Sequence, residues 1–172
     1  TESMCTFINA CLDAGVDGFY ASTQGREAGR LSDPVIFDRY VRPLEKRVWD
    51  KIDSEAKINV LHVCDYVGPY DSLEPFLDYP GQIVSAPLEL ADRRMTATEV
   101  SRLFERPFLG GMERLGALST GPRDAVVKEA QAVLGSGPEA MMLGADCTLA
   151  AGADWGNIRA AVDAAHRRRG WE

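Results

Sequence analysis

His62 and Cys64 stand at the end of the apolar run "INVLHVC", and Cys147 stands at the end of another, "AMMLGADC". In a β-strand, residues i and i+2 point to the same face, so an H-x-C strand end aims an imidazole nitrogen and a sulfur at one point. A third ligand-type residue, Cys147, arrives from a distant strand. Three N/S ligands leave one tetrahedral position open, which distinguishes a catalytic zinc from a structural one. The competing reading is ordinary packing. Cysteine is among the most commonly buried residues, and a lone buried cysteine or histidine more often completes a core than binds metal. The H-x-C spacing makes the metal reading worth carrying forward.

The elements that must position these residues alternate. A helical segment over 3–14 precedes an apolar strand, "VDGFYAS", at 16–22. "SDP" at 32–34 reads as a helix start, with Ser32 or Asp33 as cap and Pro34 in the first turn. That helix runs to about residue 54. Phe37, Tyr40, Val41, Leu44, Val48 and Ile52 form its apolar stripe, and Pro43 is expected to kink it. Strands are expected at 58–64, 82–86, 107–111 and 140–144. Helices are expected at 71–79, 90–104, 122–134 and 155–168. The apolar runs lack strict alternation, as strands covered on both faces do. Five β/α units in succession imply a parallel sheet with helical crossovers, within a single domain over 1–172. No glycine-rich phosphate loop follows the first strand, which argues against a nucleotide-binding doubly wound sheet. In a (β/α) barrel, active sites form at the C-terminal strand ends, where these ligand candidates stand.

Bulk composition narrows the function. The 172 residues carry 26 acidic and 19 basic side chains, a net charge of −7. A general nucleic-acid binder needs a basic surface, so nucleic acid is not an expected partner. The basic "HRRRG" at 166–170 suits the end of the last helix, where positive charge complements the dipole. No apolar run is long enough to cross a membrane. The four cysteines, Cys5, Cys11, Cys64 and Cys147, lack the density of a disulfide framework, so a reducing cytoplasm is expected. Cys5 and Cys11 are assigned to packing.

Three longer stretches resemble the uroporphyrinogen decarboxylase superfamily, which also holds the cobalamin-dependent (corrinoid:thiol) methyltransferases. "AGVDGFYASTQGREAGRLSDPVIFDRYVRPLEKRVWDKI" is similar to a strand, loop and helix of pattern S-x-x-x-F-x-x-F/Y-x-x-P. "NVLHVCDYV" is similar to the H-x-C-G strand end. "MLGADCTLAAGADWGNIRAAVDAAH" is similar to the closing segment, where glycine and cysteine precede a helix starting with an Asn. The resemblance implies a (β/α)₈ barrel of TIM type, of which this chain holds the last five units. Thr1 is not an initiator methionine, so a C-terminal portion of a longer protein is expected. Two open sheet edges would then invite a second copy, or the missing N-terminal half.

The resemblance implies two chemistries. In one branch zinc activates a thiol, small-molecule or otherwise, to accept a methyl group from a corrinoid protein. That branch's ligands match His62, Cys64 and Cys147, and zinc is the cofactor expected. Asp65 or Asp146 would orient His62, with loop capping as the plainer role for either. In the other branch the acetate side chains of a tetrapyrrole are decarboxylated without a cofactor. There Ser22 would line the pocket, and Arg26 and Arg30 would bind substrate carboxylates. The closing loop "GADCTLAAG" lacks that branch's histidine. A non-catalytic accessory member is a third alternative. Asp65 in place of glycine, "SAPLEL" in place of a strand ending in Asp, and "GGMER" in place of G-N-L-D-P all alter the substrate pocket. None of them touches the three ligand candidates, and no catalytic residue beyond them is assigned.

Overall fold

The computed structural model describes residues 1–29 and 33–168. Arg30 and Ser32, and the end of the basic cluster, lie outside them. The chain divides into two compact units, Thr1–Ser85 with Glu89–Arg94, and Ala86–Leu88 with Met95–Glu172. All five expected strands form, in the sequential order β1-β2-β3-β4-β5. That order lacks the reversal a doubly wound sheet needs.

In the first unit, α1 (Glu2–Asp13) precedes β1 (Gly18–Thr23), which pairs in parallel with β2 (Ile58–Val63). β2 pairs in parallel with β3 (Ile83–Ser85). The register aligns Ser22 with His62, and His62 with Ser85. Side chains alternate between faces along each strand. Leu61, Val63 and Val84 are fully buried on one face, and Ser22, His62 and Ser85 form a polar row on the other.

The crossover from β1 to β2 begins with α2 (Pro34–Ile36), capped by Asp33, whose side chain accepts from the Val35 N–H at 2.8 Å. A π-helical turn, Phe37–Val41, then leads into α3 (Arg42–Glu55). Pro43, expected to kink the helix, stands just after this turn. Proline removes a donor and clashes with the carbonyl four residues back, and the wider turn accommodates both. The extra residue also rotates the helix face. Tyr40 and Leu44, expected to point inward, are 59% and 50% exposed. Trp49, absent from the expected stripe, is buried with Ile52.

The helix expected at 71–79 is a single 3₁₀ turn, Glu74–Phe76. Its flanks explain why. Tyr70, Leu73, Phe76 and Tyr79 recur every third residue and are all buried, a 3₁₀ and not an α period. Arg42 pins this segment to α3. It donates to the Pro75 carbonyl and the Asp78 carboxylate, both at 2.7 Å.

In the second unit, α4 (Ala97–Phe104) is shorter than the 90–104 expected. Its start is fixed by a capping box in which Thr96 Oγ1 accepts from the Glu99 N–H and Glu99 Oε2 accepts from the Thr96 N–H. Residues 89–94, which belong to the first unit, instead form a turn closed by an isolated Glu89–Arg94 β-bridge. β4 (Phe108–Met112) pairs in parallel with β5 (Met141–Ala145). Between them lie α5 (Ala117–Thr120), which was not anticipated, and α6 (Arg123–Ser136). The last helix, α7 (Trp155–Arg168), packs with α6 over Met112, Leu118, Val126, Ala130, Ala160, Ala161 and Ala164.

Candidate metal centre

His62 is the fifth residue of β2, and Cys64 is the first residue beyond it. The strand ladder nonetheless continues, because the Cys64 N–H donates to the Thr23 carbonyl at 3.0 Å. Extended geometry therefore persists through Cys64, and the i, i+2 relation of the H-x-C pair survives the strand end. Both side chains are buried, His62 at 4% and Cys64 at 6% exposure.

Cys147 lies two residues beyond β5 and is also buried. The loop that carries it is braced from the backbone. The Asp146 N–H donates to the Met112 carbonyl at 2.8 Å, and Asp146 Oδ1 accepts from the Arg114 N–H at 3.0 Å. Asp146 thus braces its own strand end, the loop-capping role that is the plainer of the two expected for it. The ligand atoms of His62, Cys64 and Cys147 all lie within 4.8 Å of one another, a group that could hold a metal ion. Bonds of about 2.0–2.3 Å to a common tetrahedral ion would set such donors roughly 3.5 Å apart.

The immediate surroundings suit a metal ligand set. Ser85 Oγ lies 3.1 Å from His62 Nδ1. With Nδ1 as the donor, Nε2 becomes the nitrogen that carries the lone pair. The Tyr20 hydroxyl reaches the same Ser85 Oγ at 3.3 Å, and its ring leans against the His62 imidazole with centroids 5.1 Å apart. The Gln24 side-chain amide donates to Cys64 Sγ at 3.2 Å. The Tyr70 hydroxyl donates to the Cys64 carbonyl at 2.8 Å, and burial pushes that phenol far above its usual range.

Sequence reasoning missed Ser85, Gln24 and Tyr20. The signal for Ser85 was present as a lone polar residue inside the apolar run "QIVSA", but only the β2–β3 register sets it beside His62. Gln24 had no such signal, because its role depends on the path of a loop.

The residues expected to bind substrate lie after and within β1. Ser22 is exposed, in register with His62. Arg26 is half-buried on the following loop, with a left-handed φ of 68°. A non-glycine residue takes that conformation only when its surroundings impose it. The neighbouring contacts do so: the Gly25 N–H donates to Glu27 Oε1 at 3.1 Å, and the Ala28 N–H donates to the Pro69 carbonyl at 2.7 Å.

Farther from the ligands, Glu45 on α3 accepts from Thr23 Oγ1 and from the Tyr79 hydroxyl, each at 2.7 Å on Oε2. Burial raises its carboxyl above the usual glutamate range. Hydrogen bonds from Tyr79, Thr23 and the Gln24 backbone, and the charge of Arg42, partly offset this.

Among the described residues, no helix is long and apolar enough to cross a membrane. No curated protein sequence matches the chain. Among solved structures, a methyltransferase from Methanosarcina mazei is similar with a TM-score of 0.72 at 20% sequence identity. The match covers 98% of this chain and 47% of that one, so the chain spans about half the length of that protein. At this identity the likeness speaks for the fold. The model of the uroporphyrinogen decarboxylase (URO-D) family matches residues 1–168, and the chain belongs to that family.

Proposed function

We propose that this chain carries the metal site of a zinc-dependent methyltransferase, which moves a methyl group from a corrinoid or similar donor to a thiol. The observation that carries the reading is the donor group itself, one imidazole and two cysteine sulfurs, all buried, with ligand atoms within 4.8 Å. This set suits zinc, which favours nitrogen and sulfur in tetrahedral array and keeps a fourth position open in catalytic sites. Bound there, zinc would hold a substrate thiol as thiolate near neutral pH.

The protein's own groups have definable parts. His62 supplies nitrogen, fixed in orientation by Ser85. Cys64 and Cys147 supply sulfur. Two anionic ligands leave little net positive charge at the centre, which keeps an incoming thiolate electron-rich and nucleophilic. The methyl donor would arrive on a separate corrinoid protein.

In the same reading the parallel strands are the closing five β/α units of a (β/α)₈ barrel, with the ligands at its C-terminal mouth. The open edges of β1 and β5 would pair with further strands, from the same protein or a second copy.

Cofactor-free decarboxylation of a tetrapyrrole is the second reading. It is favoured by Arg26, a half-buried cation held in a left-handed turn beyond β1 on the strand that carries Ser22.

The test is metal content. Purified protein is expected to hold about one equivalent of zinc, and Cys64→Ser and Cys147→Ser each roughly a tenth or less, because a hydroxyl is a poor zinc ligand. Circular dichroism verifies that the variants fold. Wild-type protein that stays metal-free after incubation with zinc would overturn the proposal, and uroporphyrinogen turnover by that protein would establish the second reading.

A further inference from the structure

Residues 23–28, at the end of β1 and just after it, are tied down at several points around the Gln24 side chain. Thr23 anchors it twice, through Oγ1 to Glu45 and through its carbonyl to the Cys64 N–H. Gly25 turns the chain with φ 113°, and a Cβ there would sit 2.8 Å from the buried Phe37 ring. Glu27 is fully buried, its side chain accepts from the Gly25 N–H, and its backbone forms an isolated antiparallel β-bridge with Tyr70. Gln24 lies between these anchors. Its backbone is held through Glu45, and its amide Nε2 donates to Cys64 Sγ at 3.2 Å. A flexible glutamine does not adopt such a pose on a mobile loop without loss of side-chain entropy. Here the loop has already been immobilised.

We propose that Gln24 is a positioning residue for the metal centre. Its side-chain N–H holds Cys64 Sγ in the ligating rotamer and withdraws charge from that sulfur. The inference rests on the zinc reading and extends it to a group that touches neither metal nor substrate. An N–H donor on a coordinated sulfur stabilises its lone pairs, which tunes both metal affinity and sulfur basicity. Thr23, Glu45 and Tyr79 act behind it, since their hydrogen bonds fix the loop from which Gln24 reaches.

The test uses Gln24→Leu and Gln24→Met, which keep the bulk and remove the donor. Zinc affinity is measured by competition with a chromophoric chelator. The cobalt(II)-substituted proteins are compared by absorption spectroscopy in the sulfur-to-metal charge-transfer region. Loss of the donor is expected to weaken zinc binding roughly 10–100-fold. It is also expected to move the charge-transfer band to longer wavelength, because the sulfur lone pairs rise in energy. A purely structural role would not shift that band. Wild-type affinity together with an unshifted band in a folded variant would overturn the role of Gln24 and leave the zinc reading standing. Wild-type protein that binds neither zinc nor cobalt would overturn both. Should Gln24→Leu fail to fold, the Gln24→Met protein decides the outcome by the same two readouts.

Discussion

Between α3 and the sheet of the first unit, the interior is filled by interlocked rings. Phe76 meets Phe37, Tyr70 and Tyr79 edge-on, with centroids 5.4–5.8 Å apart, and Trp49 meets Tyr79 in the same way. In the second unit, α6 and α7 close over Ala130, Ala160, Ala161 and Ala164, a cluster with no ring among the described residues. Large rings fill space in few arrangements, and two of these carry hydroxyls that need partners once buried. Tyr79 finds Glu45, and Tyr70 finds the Cys64 carbonyl. The aromatic core thus feeds directly into the hydrogen bonds around Cys64. The side chains of the alanine cluster itself carry no polar atoms. Cys147 is accordingly braced by the backbone and by Asp146. The two strand ends that carry ligands are preorganised by different means: buried ring hydroxyls join the backbone bonds at Cys64, while the Asp146 carboxylate joins them beside Cys147.

Truncation should expose the contrast most strongly. Phe76→Ala removes a fully buried ring that touches three others. It should cost about 3–5 kcal/mol, read from urea unfolding. It should also loosen the grip on Cys64, seen as faster reaction of that thiol with a maleimide in metal-free protein. A loss under about 1 kcal/mol would mean the rings are not interlocked.

The second unit should be sensitive in the opposite direction. Ala164 is buried where α7 meets α6, so Ala164→Leu overpacks the site. An expected loss of about 1–3 kcal/mol follows from the shifts needed to admit a larger side chain. An unchanged unfolding midpoint would show that the helix contact has slack, and the comparison would fail on that side.

The smallest effect concerns pH. The Glu45 carboxyl is raised in the fold, chiefly by burial. The folded state therefore binds this proton more tightly than the unfolded chain does. The corresponding stability is fully present below the ordinary value of 4.5 and is lost as pH rises through the higher folded value. Glu45→Gln keeps an oxygen for Tyr79 and Thr23 but cannot ionise. The urea midpoint of the wild type should fall relative to that of the variant as pH rises above about 4.5. Parallel pH profiles would count against a raised carboxyl here.

Much of the fold was legible because it is encoded locally. Apolar runs marked all five strands, and Asp33 with Pro34 marked a helix start that formed as expected. The misses lie where local rules compete. Residues 71–79 carry enough apolar side chains for a helix, but their three-residue repeat and Pro75 favour a single 3₁₀ turn. The apolar stripe held at Phe37 and Ile52 but failed at Tyr40 and Leu44, because a π-turn before Pro43 rotates the helix face and periodicity counting assumes regular turns. The capping box at Thr96 set the start of α4, and a reading based on apolar content placed it seven residues too early.

The sequence alone determined the chemistry on offer: an imidazole and two sulfurs at strand ends, in an order that resembles one family. A period of two follows from the extended backbone of any strand, so the H-x-C pair shares a face wherever that strand pairs. Tertiary structure decided what surrounds the pair. Ser85 reaches His62 because β3 lies in register beside β2, and Gln24 reaches Cys64 because Thr23, Glu27 and Glu45 freeze one loop. Hydrogen bonds between residues far apart in sequence depend on register and loop path. Those are set by the packing of the whole unit, and no local pattern in the chain records them.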